Sequence, residues 1–351
     1  MEDLLVRAAS AWIRPGETIH HAAITASAGS LTYVGPTAAA PDARDVVRVD
    51  GVLMPAIADR HVHIGLADPT AVLLGGVTAV RDLGWPADRI FGLAEASELV
   101  TYNGPLIRAA GPFLTAPGGY PTRESYAPPG YAHAVADADE AGRAVSVLLS
   151  QGAAAIKVSL NAVDGPTPGD AELAEICRVA ADANIPVTVH AQGAGQVERA
   201  LGAGVQELAH APFSERLSEQ IVGALAGRVR IVSTLDLIRI HHGNDAVRIA
   251  LDNLARFREA GGSIVYGTDM GPPEWGLPPG IDVREALLLR ETGMDHDDVL
   301  GAMVRSPLEV GAPADLIAMA THPGERLEAL AELTLVVRAG RVILRRERPR
   351  V

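Results

Sequence analysis

The sequence predicts an α/β fold: a (β/α)8 barrel of the TIM type carrying a small β-sandwich built from both chain termini. Two observations predict it. From residue 53 to about 306, eight short β-rich runs alternate with helix-length amphipathic stretches, the pattern of a parallel sheet with helical crossovers. Both ends carry short β runs around tight turns instead, too few at either end to bury a face alone. The expected domains are therefore 53–310 for the barrel and 1–52 with 311–351 for the composite sandwich. An open doubly wound sheet is the alternative that periodicity leaves standing.

The eight runs are 53–57, 77–82, 106–110, 155–160, 186–191, 206–210, 230–235 and 263–269. The clearest helices between them are 139–151, 170–184 and 245–261. Each opens on an aspartate, Asp139, Asp170 or Asp245, whose carboxylate can cap free backbone N–H groups, and two run into a glycine, Gly152 or Gly261. At the N-terminal end, runs 19–26 and 31–34 flank Gly29 and Ser30. At the C-terminal end lie 316–319 and then 333–338 and 341–344 around Ala339 and Gly340. The basic tail of Arg345, Arg346, Arg348 and Arg350 reads as a solvated end.

Composition narrows the function classes. With 351 residues, 48% apolar and 21% charged, and a mean hydropathy of +0.16, the chain can bury a large core. Its net charge of −13 repels phosphate backbones and anionic lipid, so a small-molecule substrate is expected rather than nucleic acid or membrane, and a homo-oligomer stays open. The opening Met1, Glu2, Asp3, Leu4, Leu5 lacks the basic and apolar regions of a secretion signal, and no run of 18 apolar residues occurs. Cys177 is the only cysteine, at helical spacing with Leu173 and Ala180, and reads as core filler in a cytoplasmic protein. Of the thirty basic residues, one is lysine: Lys157.

The candidate chemistry sits at strand ends. His61 and His63 follow the first barrel run, and side chains two apart on extended chain point the same way, so both imidazoles can hold one metal. His190, His210 and Asp269 each close a later run, at the edge where barrel active sites form. Taken singly, a packed core histidine or a loop-capping aspartate explains each one; five metal-type ligands at one edge point to a metal centre. Lys157 lies in an otherwise apolar run, where an unpaired ammonium is costly to bury. Either a neighbouring carboxylate pairs with it, or its neutral amine captures carbon dioxide as a carbamate that bridges two divalent metals. Two divalent cations set against the carbamate, Asp269 and a bridging hydroxide leave a net positive site that can polarise a carbonyl. These N and O ligands suit zinc first, with manganese, cobalt or iron as alternatives.

On these residues the chain resembles the amidohydrolase superfamily of metal-dependent hydrolases. The segment from Asp50 to His63 is similar to the family's first-strand signature, and Gly76 to Asp82 to its second strand. Lys157, His190, His210 and the Gly267, Thr268, Asp269 triplet fall where the family places its remaining ligands. Gly311 to Leu316 and Val337 to Val342 resemble segments that return to the family's β-sandwich. Gly111 to Gly119, with the lysine on strand four, resembles the imidazolonepropionase-like and Xaa-Pro dipeptidase-like branch, although Tyr120 stands where that branch commonly has histidine. The stretch from Ser306 to Asp315 is also short for the family.

The resemblance implies that His61, His63 and Asp269 bind the more buried metal, His190 and His210 the outer one, and Lys157 both. It implies Asp269 as the catalytic residue, taking the proton of the attacking hydroxide and passing it to the leaving amine. It implies cleavage of an amide or peptide-like C–N bond, in a dipeptide, an N-acyl amino acid or a cyclic amide. Lactonase, esterase or phosphotriesterase activity, a mononuclear deaminase and a non-catalytic barrel remain alternatives. Substrate contacts are expected from loops beyond the same strand ends: Tyr120, His133, Gln192, His241, Glu274 and Trp275, with Ser159, Asn161 and His242. The proline-rich stretch from Gly271 to Gly280 is expected either to cover the site or to pack Trp275 under its own prolines.

Overall fold

A computed structural model describes residues 2–346. Arg348 and Arg350 of the basic tail lie outside the described residues. In chain order, β1 (Glu2–Arg14), β2 (Glu17–Ser27), β3 (Ser30–Pro36) and β4 (Ala43–Pro55) come from the N-terminal end. β5 (Ile57–Val62), β6 (Val77–Asp82) and β7 (Leu106–Ala109) follow as a parallel sheet. A second parallel sheet holds β8 (Phe113–Thr115), β9 (Ala132–Ala134), β10 (Ile156–Asn161), β11 (Val187–Gln192), β12 (Glu207–Leu208), β13 (Arg230–Val232) and β14 (Ser263–Val265). β15 (Leu316–Met319), β16 (Leu333–Arg338) and β17 (Arg341–Arg345) return to the strands of the N-terminal end, giving one sheet in the order β17-β16-β15-β4-β1-β2-β3.

Backbone bonds also join the two parallel sheets to each other. At one side Arg60 N donates to Tyr266 O and Asp269 N to His61 O, tying β5 to the segment after β14. At the other, Ala154 N donates to Ala109 O, tying β7 to the approach of β10. The short β8 and β9 pair outward from β10, with Leu114 opposite both Val158 and His133.

The terminal sheet explains two departures from expectation. β1 has no clean alternation because its register with β4 shifts between Ala8 and Ser10. That irregularity moves the apolar phase by one residue, so Leu4, Val6 and Ala8 and then Ala11 and Ile13 share one buried face. β4 continues to Pro55, so 53–55 belongs to the terminal sheet and the first strand of the parallel set is β5. Leu53 packs into the terminal core while Val52 and Met54 turn toward the larger core of the parallel sheets.

The helices follow their caps. Asp137, not Asp139, caps Ala138–Ser150, its side chain accepting from Glu140 N at 2.8 Å. Asp170–Asp182 is capped at Gly169, with Asp170 in its first turn. The helix expected at 245–261 instead runs Leu235–Glu259 and is broken at Gly243 (φ 83°, ψ −178°), a conformation that glycine adopts without a Cβ clash.

Between the strands, away from solvent, Glu207 ion-pairs with Arg81 and with Arg230 (2.7 Å) and accepts from Thr188 Oγ1 at 2.9 Å. Glu207→Ala leaves the buried Arg81 without its counter-charge. It is expected to lower stability by about 3–5 kcal/mol, read as a shift of the urea midpoint at unchanged slope.

Candidate metal centre

The strand ends are locked before any ligand side chain is considered. Asp59 is buried in β5; its Oδ1 accepts from His61 N (3.0 Å) and Thr268 N (3.1 Å), and its Oδ2 accepts from Thr268 Oγ1 at 2.5 Å. That clamp holds β5 against the turn carrying Asp269, whose φ of 60° is unusual for a residue with a side chain. Gly267 permits the approach, since a Cβ there would meet Val232 Cγ1 at 2.3 Å. Asp82, at the end of β6, accepts from Ile64 N and Gly84 N and so fixes the loop after His63.

His61 and His63 present the same ring nitrogen to Asp269. His61 Nδ1 donates to Ala209 O at 2.8 Å, and His63 Nδ1 lies 3.2 Å from Gly84 O and 2.9 Å from the Tyr131 hydroxyl. Both Nε2 atoms lie 3.1 Å from Asp269 Oδ1. Burial holds His61 well below the usual imidazole range, so its ring is neutral and Nε2 is a lone pair. Asp269 Oδ1 is buried and accepts no hydrogen bond. Nitrogen and oxygen atoms of the three side chains thus converge within 4.8 Å of one another. Two imidazoles with a carboxylate are a donor set suited to a divalent cation.

Beside this group lie the other three candidates. His190 Nδ1 and His210 Nε2 are 2.9 Å apart, and His210 Nδ1 is 3.0 Å from Thr234 Oγ1 and 3.7 Å from Asp269 Oδ2. Burial pushes His190 down to about 4 and His210 well below its usual value. Lys157 is fully buried in β10, with Nζ 3.4 Å from His61 Nε2 and 5.2 Å from the centre of the Phe113 ring. Among the described residues no carboxylate forms an ion pair with it. Burial pushes its ammonium down to about 7, only partly offset by Asp269.

These groups line a cavity of about 330 Å³. Tyr120, Gln192, His241 and Trp275 line it too, together with Asn161 and His242. Tyr120 stacks on His190 with ring centres 5.2 Å apart. Trp275 turns inward, 5.8 Å from the His63 ring, and its carbonyl lies 3.2 Å from His241 Nε2. Two expected contacts are corrected. His133, on β9, lines a separate cavity with Glu140 and Arg143 against the helix Ala138–Ser150. Glu274 is exposed outside the cavity, because the 3-10 turn Pro273–Trp275 carries one side chain inward and its neighbour outward. Ser159 is buried in β10 with an unpartnered hydroxyl and is not among the residues lining the cavity.

The sequence pattern does not single out Phe113, Glu124, Tyr126, Asp164 or Phe213, which also line the cavity, or Tyr131, which touches His63. Part of the aromatic wall comes from the irregular stretch 116–131, where Tyr120 and Tyr126 bond through their hydroxyls at 2.6 Å. The tyrosines themselves, clustered in a loop rich in proline and glycine, are the one available signal.

Buried imidazoles, a carboxylate and a lysine thus converge on one cavity of an α/β fold, a donor set that could hold a metal ion. The amidohydrolase family model matches residues 52–273, and the chain belongs to that family. No curated protein matches it significantly in sequence. Among solved structures it is similar to the A. niger ochratoxinase (22% identity, TM-score 0.81, covering 97% of this chain and 95% of that one). It is equally similar to a Xaa-Pro dipeptidase with bound methionine (20%, TM-score 0.81, 97% and 99%). A prolidase complexed with N-methylphosphonate-L-proline also matches (20%, TM-score 0.78, 98% and 100%). At these identities the likeness is one of fold, a TIM barrel with an extra domain.

Acid should act on this cluster in a defined direction. His190 titrates near 6.5 unfolded and about 4 folded, so the unfolded chain takes up the proton first. Its contribution is complete above pH 6.5 and is lost as the pH falls toward 4. Chelator-treated protein is therefore expected to lose thermal stability across that window, and His190→Gln to lose less, as measured by calorimetry between pH 7 and pH 4.

Proposed function

We propose that the chain is a metal-dependent hydrolase of an amide or peptide-like C–N bond, working on a small molecule such as a dipeptide, an N-acyl amino acid or a cyclic amide. The observation that carries this reading is the unpartnered Asp269 Oδ1, buried 3.1 Å from two imidazole nitrogens. His61, His63 and Asp269 would hold one divalent cation and His190 and His210 a second, zinc first. Bound there, such ions supply a water nucleophile at neutral pH and polarise the scissile carbonyl.

Lys157 completes the centre in this reading. Keeping a cation at its position costs on the order of 5 kcal/mol relative to water, so at neutral pH a large share of the amine is neutral. The neutral Nζ lone pair adds to the carbon of carbon dioxide and sheds a proton, leaving a carbamate with two oxygens for two cations. Asp269 accepts the proton of the nucleophile as the carbonyl is attacked and delivers it to the leaving nitrogen. Tyr120, Gln192, His241 and Trp275 orient the substrate. Glu124 and Asp164 line the same cavity and, among the described residues, no arginine does, which favours a neutral or cationic substrate group over an anionic one.

The frame follows from the same reading. The backbone bonds across both sides of the parallel sheets support a closed eight-stranded barrel running from β5 to about 310, with the candidate ligands toward its C-terminal mouth. The terminal sheet supports a β-sandwich of residues 2–55 and 311–346: Leu31 N donates to Ala312 O and Gly311 N to Leu31 O, so β3 meets the approach to β15 from across the sheet.

Purified protein, after metal analysis, is expected to hold two ions per chain. It should hydrolyse members of a panel of dipeptides, N-acyl amino acids and cyclic amides faster than lactones or phosphotriesters. Turnover of lactones alone would overturn the amide reading. Lys157→Ala is expected to lose about 99% of activity and to regain part of it with added short carboxylates; full unsupplemented activity would remove the bridge.

A further inference from the structure

Contacts on the cavity wall decide which ring nitrogen of His190 carries its proton. A backbone N–H can only donate. Val163 N and Asp164 N both donate to Asn161 Oδ1, at 3.0 and 3.1 Å, which fixes the orientation of that amide. Its Nδ2 then donates to Asp164 Oδ2 at 2.8 Å and to Gln192 Oε1 at 3.2 Å. The same Gln192 oxygen lies 3.0 Å from His190 Nε2. An amide oxygen only accepts, so Nε2 bears the hydrogen and Nδ1 is a lone pair, 2.9 Å from His210 Nε2.

We infer that Asn161 and Gln192 form a positioning relay that holds His190 as its Nε2–H tautomer and keeps Nδ1 free to bind a cation. The inference rests on the reading in which His190 and His210 hold the outer ion. Asn161 is 1% and Gln192 8% exposed, so water does not readily replace either link. Without the acceptor at Nε2 the proton can move to Nδ1, where His210 Nε2 stands at 2.9 Å as the competing acceptor, and the ligand atom is lost. An outer hydrogen-bond partner of this kind typically changes metal affinity by about 10–100-fold.

The test compares wild type with Gln192→Met, which removes the acceptor at similar size, Gln192→Glu, which keeps an oxygen facing both neighbours, and Asn161→Ala. Long-range proton–nitrogen ring spectra of the metal-free, 15N-labelled proteins read the His190 tautomer, and competition with a fluorescent zinc chelator reads each site's affinity. Wild type and Gln192→Glu are expected to show only Nε2–H. Gln192→Met and Asn161→Ala are expected to show the Nδ1–H form and to bind the second zinc about 10–100-fold more weakly, with the first unchanged. A wild-type tautomer and wild-type second-site affinity in Gln192→Met and Asn161→Ala overturn the relay, as does Gln192→Glu behaving like Gln192→Met. Should either Gln192→Met or Asn161→Ala fail to fold, the other still decides against Gln192→Glu. A wild type that takes up only one zinc refutes the two-ion reading instead, while the metal-free spectra still judge the relay.

Discussion

The centre depends on one electrostatic constraint: a carboxylate oxygen held where nothing in the protein donates to it. Asp269 reaches that position because Asp59 binds Thr268 through both backbone and hydroxyl and binds the His61 amide with the same carboxylate. Burial pushes the Asp59 acid up to about 7 even though these three donors oppose the shift. An acid that charges less readily than usual is thus embedded beneath one that is left without a partner. A cation bound there would give that oxygen the partner it lacks.

Around that point the histidines are sorted by what sits behind them. A carbonyl behind His61 and an amide oxygen behind His190 each take a proton on the far side of the ring and leave the near nitrogen as a free lone pair. They do so with opposite nitrogens, Nε2 in the first case and Nδ1 in the second. The two ligand groups can therefore face one another across a short distance although their strands run the same way.

Much of this was legible in the sequence. Ligand residues at strand ends are visible because parallel strands are short, apolar and separated by helices, so a polar residue closing one stands out. β6 is read as 77–82 from its residues and observed as Val77–Asp82. β1 escaped because its register shift interrupts the alternation on which strand reading depends, and the first parallel strand was displaced because β4 and β5 form one nearly continuous apolar run. His133 and Glu274 were misplaced for a different reason. Nearness in sequence to a strand end does not specify which way a loop side chain turns. The aromatic wall of 116–131 lacks any period, and only its tyrosine content hinted at it.

A single residue, Ala56, separates β4 from β5, and its N–H donates to Asp315 O at the return of the chain. The accessory sheet and the ligand-bearing strand are consequently welded rather than hinged. Exchange of that sheet between homologues by recombination would have to cut through the splice five residues before His61 and would reset the reach of the first two imidazoles. Diversification of this architecture is steered toward its outer loops, where chemistry can vary without disturbing the weld.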